Sequence, residues 1–344
     1  MKKQLQEVTI IRPIIIILLV LMHSFTMYSG GWPLPEGIGN VRSYFWVQKA
    51  SFAFMLEMFA FISGYLFAYQ INELKKKITF RSLLKDKFKR LIIPCIVFSV
   101  LYAAIFYDKF PGFISFVYKI CSGIGHMWFL NMLFWCFLGT YLLLKIKIRE
   151  GVKIVLLFLL SIFSFIPLPF QMTSTLYYMF FFYLSFLVFR NKETLINKFA
   201  NVKSIIIFGI LFLVLFISLT LFKEQVDLTL STETAIIYKA ILLSISNLSR
   251  LIYSTIGLLW FYIFVMYLLK IIRKIPDWII SSNTLCMGVY LIHQFILQYL
   301  YYKTNIPQYL GTYWLPWVGF IVALFISLLL SYFIRKTRLG KQLL

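Results

Sequence analysis

Acidic residues are scarce in this chain. Only 12 Asp and Glu stand among 344 residues, against 34 Lys and Arg, and charged residues together make 13%. A soluble domain carries about 25% charged residues. That shortage excludes a soluble globular fold, and the 61% hydrophobic, 19% aromatic composition excludes disorder. Cysteine is sparse too. Cys95, Cys121, Cys136 and Cys286 are scattered, and none sits in a CxxC or CxH pattern. Neither a disulfide framework nor a thiolate metal site is supported. No internal repeat or low-complexity tract is visible. Lys2 and Lys3 precede an apolar run, but no small-x-small cleavage site follows it. The run is expected to be an uncleaved first span.

What is abundant is apolar sequence in long segments. A bilayer core of about 30 Å needs about 20 apolar residues per helix. Ten segments qualify, near 9–30, 51–71, 91–107, 127–144, 152–168, 173–189, 204–222, 251–270, 282–302 and 313–334. The fold class expected is all-α: a polytopic integral membrane protein of about ten transmembrane helices. Residues 236–248 form an amphipathic stretch, expected as a re-entrant or interfacial helix. The longest stretch outside a span is about 28 residues, 223–250. One membrane domain over 1–344 with no appended soluble domain is therefore expected.

The excess of positive charge then acquires a cause. With the N-terminus inside, 26 of the 34 basic residues fall on inner segments and 8 on outer ones. The outer set includes Lys109, Lys223, Lys239 and Arg250. Every inner loop is at least as rich in Lys and Arg as its outer neighbours, as positive-inside requires. One wrong span breaks this alternation, so the pattern supports N-in, C-in. The basic residues are spread over six inner segments rather than one recognition element, which argues against nucleic acid as a partner. The densest group is Lys75, Lys76, Lys77, Arg81, Lys85, Lys87, Lys89 and Arg90. It suits either anionic-lipid contact or a landing surface for a polyanionic cytosolic ligand.

Ionisable groups inside spans are costly and point to function. Arg12 and His23 lie eleven positions apart in the first span. At 100° per residue they share one helix face, with a rise of about 16 Å. Arg12 alone would serve as an anchor, and His23 alone as a packing residue; together they suggest a functional face. Glu57 is the only carboxylate placed inside a span interior. Its expected depth matches that of His23, so a carboxylate–imidazole pair supporting a general base is predicted. Ser63-Gly64 follows on the same span and permits close helix approach. Arg90 enters the third span at the cytosolic side, before Pro94. The fourth opens with His126, Trp128 and Asn131, and the ninth carries Tyr290 and His293. The three histidines of the chain thus fall at mid-membrane to outer depths on separate elements. A metal site is the weaker alternative, because ligand spacing is absent.

These residues resemble the membrane acyltransferase type 3 family. Arg12, ten residues and His23 are similar to that family's Arg-x10-His signature. Glu57-Met-Phe-Ala-Phe-Ile-Ser63-Gly64 resembles its second-span pattern, with Ala60 in place of one aromatic. Arg90-Leu-Ile-Ile-Pro94, His126-Met-Trp128-Phe129-Leu130 and Tyr290-Leu-Ile-His293-Gln294 resemble three further elements, in order along the whole chain. The resemblance implies an O-acyltransferase of the bacterial plasma membrane that modifies surface glycans. It implies acyl-CoA, with acetyl-CoA foremost, as donor substrate, and a glycan or lipid-linked sugar as acceptor. No permanently bound cofactor and no metal are expected. His23 and Glu57 are then expected as catalytic residues, and Arg12 and Arg90 as binders of the donor. His126, Trp128, Asn131, His293, Tyr290 and Ser63 are expected around the acceptor cavity. A glycan flippase or exporter is the alternative; it has no special need for an Arg and a His on one helical face.

Overall fold

The computed structural model describes residues 5–107, 112–232, 235–272, 274–338 and 340. Lys2, Lys3, Lys109, Arg273 and Lys341 of the charge tally lie outside them. The described residues form helices and turns with no strand. In chain order the α-helices are α1 (Gln6–Ser24), α2 (Arg42–Phe52), α3 (Met55–Asn72), α4 (Phe80–Lys87), α5 (Ile93–Phe106), α6 (Phe113–Ser122) and α7 (Trp128–Lys145). They continue with α8 (Glu150–Ile162), α9 (Met172–Arg190), α10 (Lys192–Phe199), α11 (Val202–Thr232), α12 (Ile236–Ile271), α13 (Asp277–Tyr302) and α14 (Ile306–Lys336). Among the described residues, nine helical stretches are long and apolar enough to cross a membrane. The fold is that of a polytopic membrane protein.

The chain divides into two compact units, Met1–Met55 with Leu269–Leu344, and Leu56–Leu268. In the first, α1 packs on α13, and α13 on α14. The apolar run of α1 buries Ile11, Ile15 and Leu19, one turn apart on one face. Contacts along the helices fix their directions. Arg12 of α1 lies in the field of Cys286 of α13, and His23 meets His293. Beyond them the Tyr301 hydroxyl donates to Ser24 O at 3.0 Å. The numbers rise together, so α1 and α13 are parallel. By contrast Arg335 of α14 donates to Thr284 O at 2.8 Å, while Gly319 abuts Tyr301. Those two helices are antiparallel. The starts of α1 and α13 and the end of α14 therefore share one end of the unit.

In the second unit the expected fifth span is the one that departs. It forms the 13-residue helix α8, about 20 Å long, where the bilayer core is about 30 Å. It nevertheless retraces α9. Glu150 at its start pairs with Arg190 at the end of α9 at 3.5 Å. Ser161 near its end donates to Tyr177 O at 3.2 Å. Non-helical residues continue the course, and Leu168 N reaches Thr173 Oγ1 at 2.7 Å. The residue pair Ile166–Pro167 and the later Pro169 explain why the helix stops early.

Two further expectations change here. Residues 236–248 are neither re-entrant nor a separate interfacial helix; they are the first third of α12, a helix of 36 residues. The expected 28-residue loop over 223–250 is likewise mostly helix, because α11 runs on to Thr232. Lys223 and Ser246 tie the two extensions together at 2.5 Å. The close approach expected at Ser63-Gly64 is present between α3 and α9: a Cβ on Gly64 would lie 2.2 Å from Phe182 O.

Candidate functional site

The first unit brings two histidines together. On α1, Arg12, Ile16, Leu19 and His23 follow one another at helical spacing on one face, and Ile16 and Leu19 are buried. His23 stands in the last turn of α1. Its Nδ1 lies 3.1 Å from Leu19 O and 3.1 Å from His293 Nε2. His293, fully buried on α13, has its Nδ1 2.9 Å from Val289 O. This pattern assigns the tautomers. A carbonyl only accepts, so His293 carries its proton on Nδ1 and presents a lone pair at Nε2. His23 must then donate from Nδ1. The lone pair of His23 is placed on Nε2, the nitrogen aimed away from its own helix carbonyl. Tyr290, one turn before His293, has its ring 6.5 Å from that imidazole.

A loop closes over this pair. Trp32 stacks on His23 with ring centroids 5.8 Å apart and planes at 26°. The loop is pinned to the start of α14 and the end of α13. Tyr28 donates to Thr312 O at 2.8 Å, Gly39 N to Thr312 Oγ1 at 2.9 Å, and Tyr302 to Pro33 O at 2.7 Å. The Thr312 groups are available because α14 breaks at Gly311, where φ is +65° and a side chain would be strained. Burial, then the neighbouring Tyr44, push the Tyr28 phenol far above its ordinary range, so it stays a neutral donor. Arg12, half-buried, occupies the other end of the α1 face, about 16 Å from His23.

The second unit holds a different polar cluster. Glu57 on α3 is fully buried. Arg250 on α12 donates to its Oε1 from Nη2 at 2.7 Å and from Nε at 3.0 Å. Tyr177 on α9 donates to the same oxygen at 3.2 Å, and Arg250 also reaches the Tyr178 hydroxyl at 2.9 Å. Its guanidinium lies 4.9 Å from the Tyr177 ring centre, which adds a cation–π contact. Glu57 Oε2 is buried without a hydrogen-bond partner among the described residues. Trp128 packs beside Tyr178, ring centres 5.9 Å apart. His126 is buried in the 3₁₀ turn before α7. Asn131 donates one amide hydrogen to Cys121 O at 2.6 Å, and the Ser63 hydroxyl donates to Phe59 O at 2.8 Å.

Arg90 is exposed on a π-helical turn between α4 and α5. Of the basic cluster around it, Arg81, Lys85 and Lys87 sit on α4, which starts with a Thr79–Ser82 capping box. Most of its cations face outward, but Lys87 turns in, with Nζ 3.5 Å from the centre of the Phe137 ring.

The structure therefore groups the expected residues differently from the sequence. His23, His293, Tyr290 and Arg12 share the α1–α13 face. Glu57 shares a cluster with Trp128 through Tyr178. Trp32, Tyr177, Tyr178 and Arg250 are additions. Among the described residues, no group of three or more His, Cys, Asp or Glu side chains is arranged to hold a metal ion.

A family model described as an acyltransferase domain aligns with residues 5–336. A search of curated proteins and a search of solved structures each found no match.

Proposed function

The chain belongs to the membrane acyltransferase type 3 family, and from that premise we propose that it moves an acyl group from cytosolic acyl-CoA to a hydroxyl of a cell-surface or lipid-linked glycan. The family makes it a membrane acyltransferase. The finer choices of acetyl as the group, acyl-CoA as donor and glycan as acceptor follow the motif resemblance. A bacterial plasma membrane with both chain ends in the cytosol fits the charge tally.

The observation that carries the chemistry is the His23–His293 hydrogen bond. A general base needs a lone pair in a fixed direction and a way to spread the charge it acquires. His23 has both. His293 Nε2 accepts the Nδ1 proton of His23 and so holds the lone pair at His23 Nε2. In the forward step, His23 Nε2 takes the proton of the acceptor hydroxyl as its oxygen attacks the thioester carbonyl. A C–O bond forms, the C–S bond breaks, and the imidazolium returns the proton to the departing thiolate. His293 stabilises the transient imidazolium through the same hydrogen bond without itself changing protonation. We assign to His293 the supporting role expected of Glu57, and Glu57 has Arg250 and Tyr177 as partners in its own unit. Trp32 limits ring rotation of His23 by stacking.

Donor binding falls to cations. Arg12 lies at the end of the α1 face remote from the base, suited to a phosphate of acyl-CoA, with an extended arm running along the face to His23. Arg90 and its basic neighbours supply a separate positive surface that draws a polyanionic donor from the cytosol.

The test is mass spectrometry of surface glycans from cells carrying wild-type protein, His23→Ala or Arg12→Ala. Loss of a defined acyl mass in both variants, with normal expression and normal glycan export, is expected. Unchanged acylation overturns the assignment of His23 and Arg12. Loss of export of the glycan itself favours a flippase.

A further inference from the structure

At the shared end of the first unit, α13 and α14 leave an open groove of about 480 Å³. Its walls are Ile280, Ser281, Thr284 and Leu285 on α13, and Tyr332, Arg335 and Lys336 on α14. Nothing in the acyl-transfer reading uses it. We propose that this groove binds the headgroup phosphate of an anionic glycerophospholipid, with one acyl chain laid along α14.

Three observations support this. First, the groove is cationic and hydroxyl-lined. Arg335 and Lys336 stand side by side, and Ser281 and Thr284 are exposed opposite them. Both cations are already held in place: Arg335 donates to Thr284 O at 2.8 Å, and Lys336 lies 4.3 Å over the Tyr332 ring. Each keeps further N–H donors for a phosphate. Basic pockets between transmembrane helices are a recurrent mode of recognising anionic lipid headgroups.

Second, an apolar stripe leads away from the cations. Ile321, Phe325, Leu329 and Tyr332 follow at helical spacing on α14, with exposures of 63%, 66%, 46% and 48%. Phe333 is next to them at 55%. The stripe runs toward the interior of the span, where an acyl chain would lie, and the cations sit at the helix end, where a headgroup would lie. A free anion from solution would use the cations and leave the stripe idle.

Third, the groove faces away from the proposed catalytic face. Thr284 and Cys286 are two residues apart, about 200° round the helix. Cys286, Val289, Tyr290 and His293 are buried on the side toward α1, while Ser281 and Thr284 are exposed. A donor whose thioester reaches His23 along the α1–α13 face is not seated in this groove. The occupant is therefore a lipid rather than the acyl donor.

The experiment uses the full-length protein in neutral detergent and native mass spectrometry. Phosphatidylglycerol and phosphatidylcholine of identical acyl chains are the probes. Phosphatidylglycerol is expected to be retained preferentially. Each basic side chain near an anionic headgroup is worth about fivefold, so Arg335→Gln with Lys336→Gln should weaken retention about thirtyfold. Lys336→Gln alone leaves the Arg335–Thr284 bond intact and should cost about fivefold, which protects the test if the double variant misfolds. Inorganic phosphate and coenzyme A, added as competitors, should not displace the lipid. Equal retention of the two lipids, or undiminished retention by both variants, overturns the proposal. Displacement by coenzyme A reassigns the groove to a soluble nucleotide and overturns it as well. None of these readouts depends on acyl transfer.

Discussion

Removing Arg250 and Glu57 together should destabilise the protein much less than the sum of the two single removals. Glu57 is fully buried, and its Oε1 takes three hydrogen bonds, two of them from Arg250. Arg250→Leu leaves the carboxylate with the Tyr177 hydroxyl alone. Breaking a buried pair from one side costs about 3–5 kcal/mol, because a charge is left uncompensated. The double replacement Glu57→Leu with Arg250→Leu removes both charges. What remains is two tyrosine hydroxyls that lose a partner, at about 1–3 kcal/mol each when no water reaches them. At mid-range values the two singles sum to about 8 kcal/mol and the double costs about 4, so the cycle has a coupling of about 4 kcal/mol. Unfolding by sodium dodecyl sulfate titration from mixed micelles, followed by tryptophan fluorescence, measures all four corners. Additivity within about 0.5 kcal/mol would mean that the pair does not act as a unit. The compact cluster described for α3, α9 and α12 would then be wrong.

Three other outcomes follow from the same structure. His293→Asn should retain part of the activity because its amide still offers an acceptor to His23 Nδ1, whereas His293→Phe should lose up to about 10²–10⁴-fold in kcat, the full contribution of the base it positions; equal activities of the two in a coenzyme A release assay would refute the positioning role of His293. Gly64→Ala should lower the yield of folded protein sharply, since its Cβ meets the backbone oxygen of Phe182 and backbone does not yield; size-exclusion recovery beside Gly151→Ala, where the space is open, reads this out. Burial raises the Glu150 carboxyl, but hydrogen bonds from Tyr183 and Lys153 and the charges of Lys153 and Arg190 prevail and hold it below the ordinary range. A depressed carboxylate stabilises above its unfolded pKa and loses that effect as pH falls through the folded one. The advantage of wild type over Glu150→Gln in thermal unfolding should thus be present at neutral pH and vanish in strong acid.

Membrane segments were legible because hydrocarbon imposes one rule on every residue of a span. The Arg12–His23 face was legible for a related reason: helical periodicity survives without knowledge of any neighbour. Arg250 was not. It sits just before the expected eighth span, and a basic residue at a span edge normally anchors it. The signal lay in the small residues around it. Leu242, Ser246, Ser249, Tyr253 and Gly257 follow at helical spacing and are all buried, which marks a helix continuing well before residue 251. The partner of Glu57 could not be read from depth alone, because depth ranks candidates and does not say which helices touch. The fifth span shows the limit of length as a signal. Its helix ends near Ile162, where Ile166-Pro167-Leu168-Pro169 forbids continuation, and the chain continues alongside α9 in turns and irregular backbone.

The parallel pairing of α1 with α13 also sets a timetable for biogenesis. His23 emerges from the ribosome early, and His293 follows 270 residues later. At about 5–20 residues per second that interval is roughly 15–50 s. During it the first helix waits in the membrane without the partner that orients its imidazole. The His23–His293 hydrogen bond on which the proposed base depends therefore forms only when nearly the whole chain has been inserted. A truncated product that stops before α13 carries the Arg-x10-His signature and lacks the hydrogen bond that fixes its lone pair. On the proposed assignment, activity would thus report that α13 has arrived.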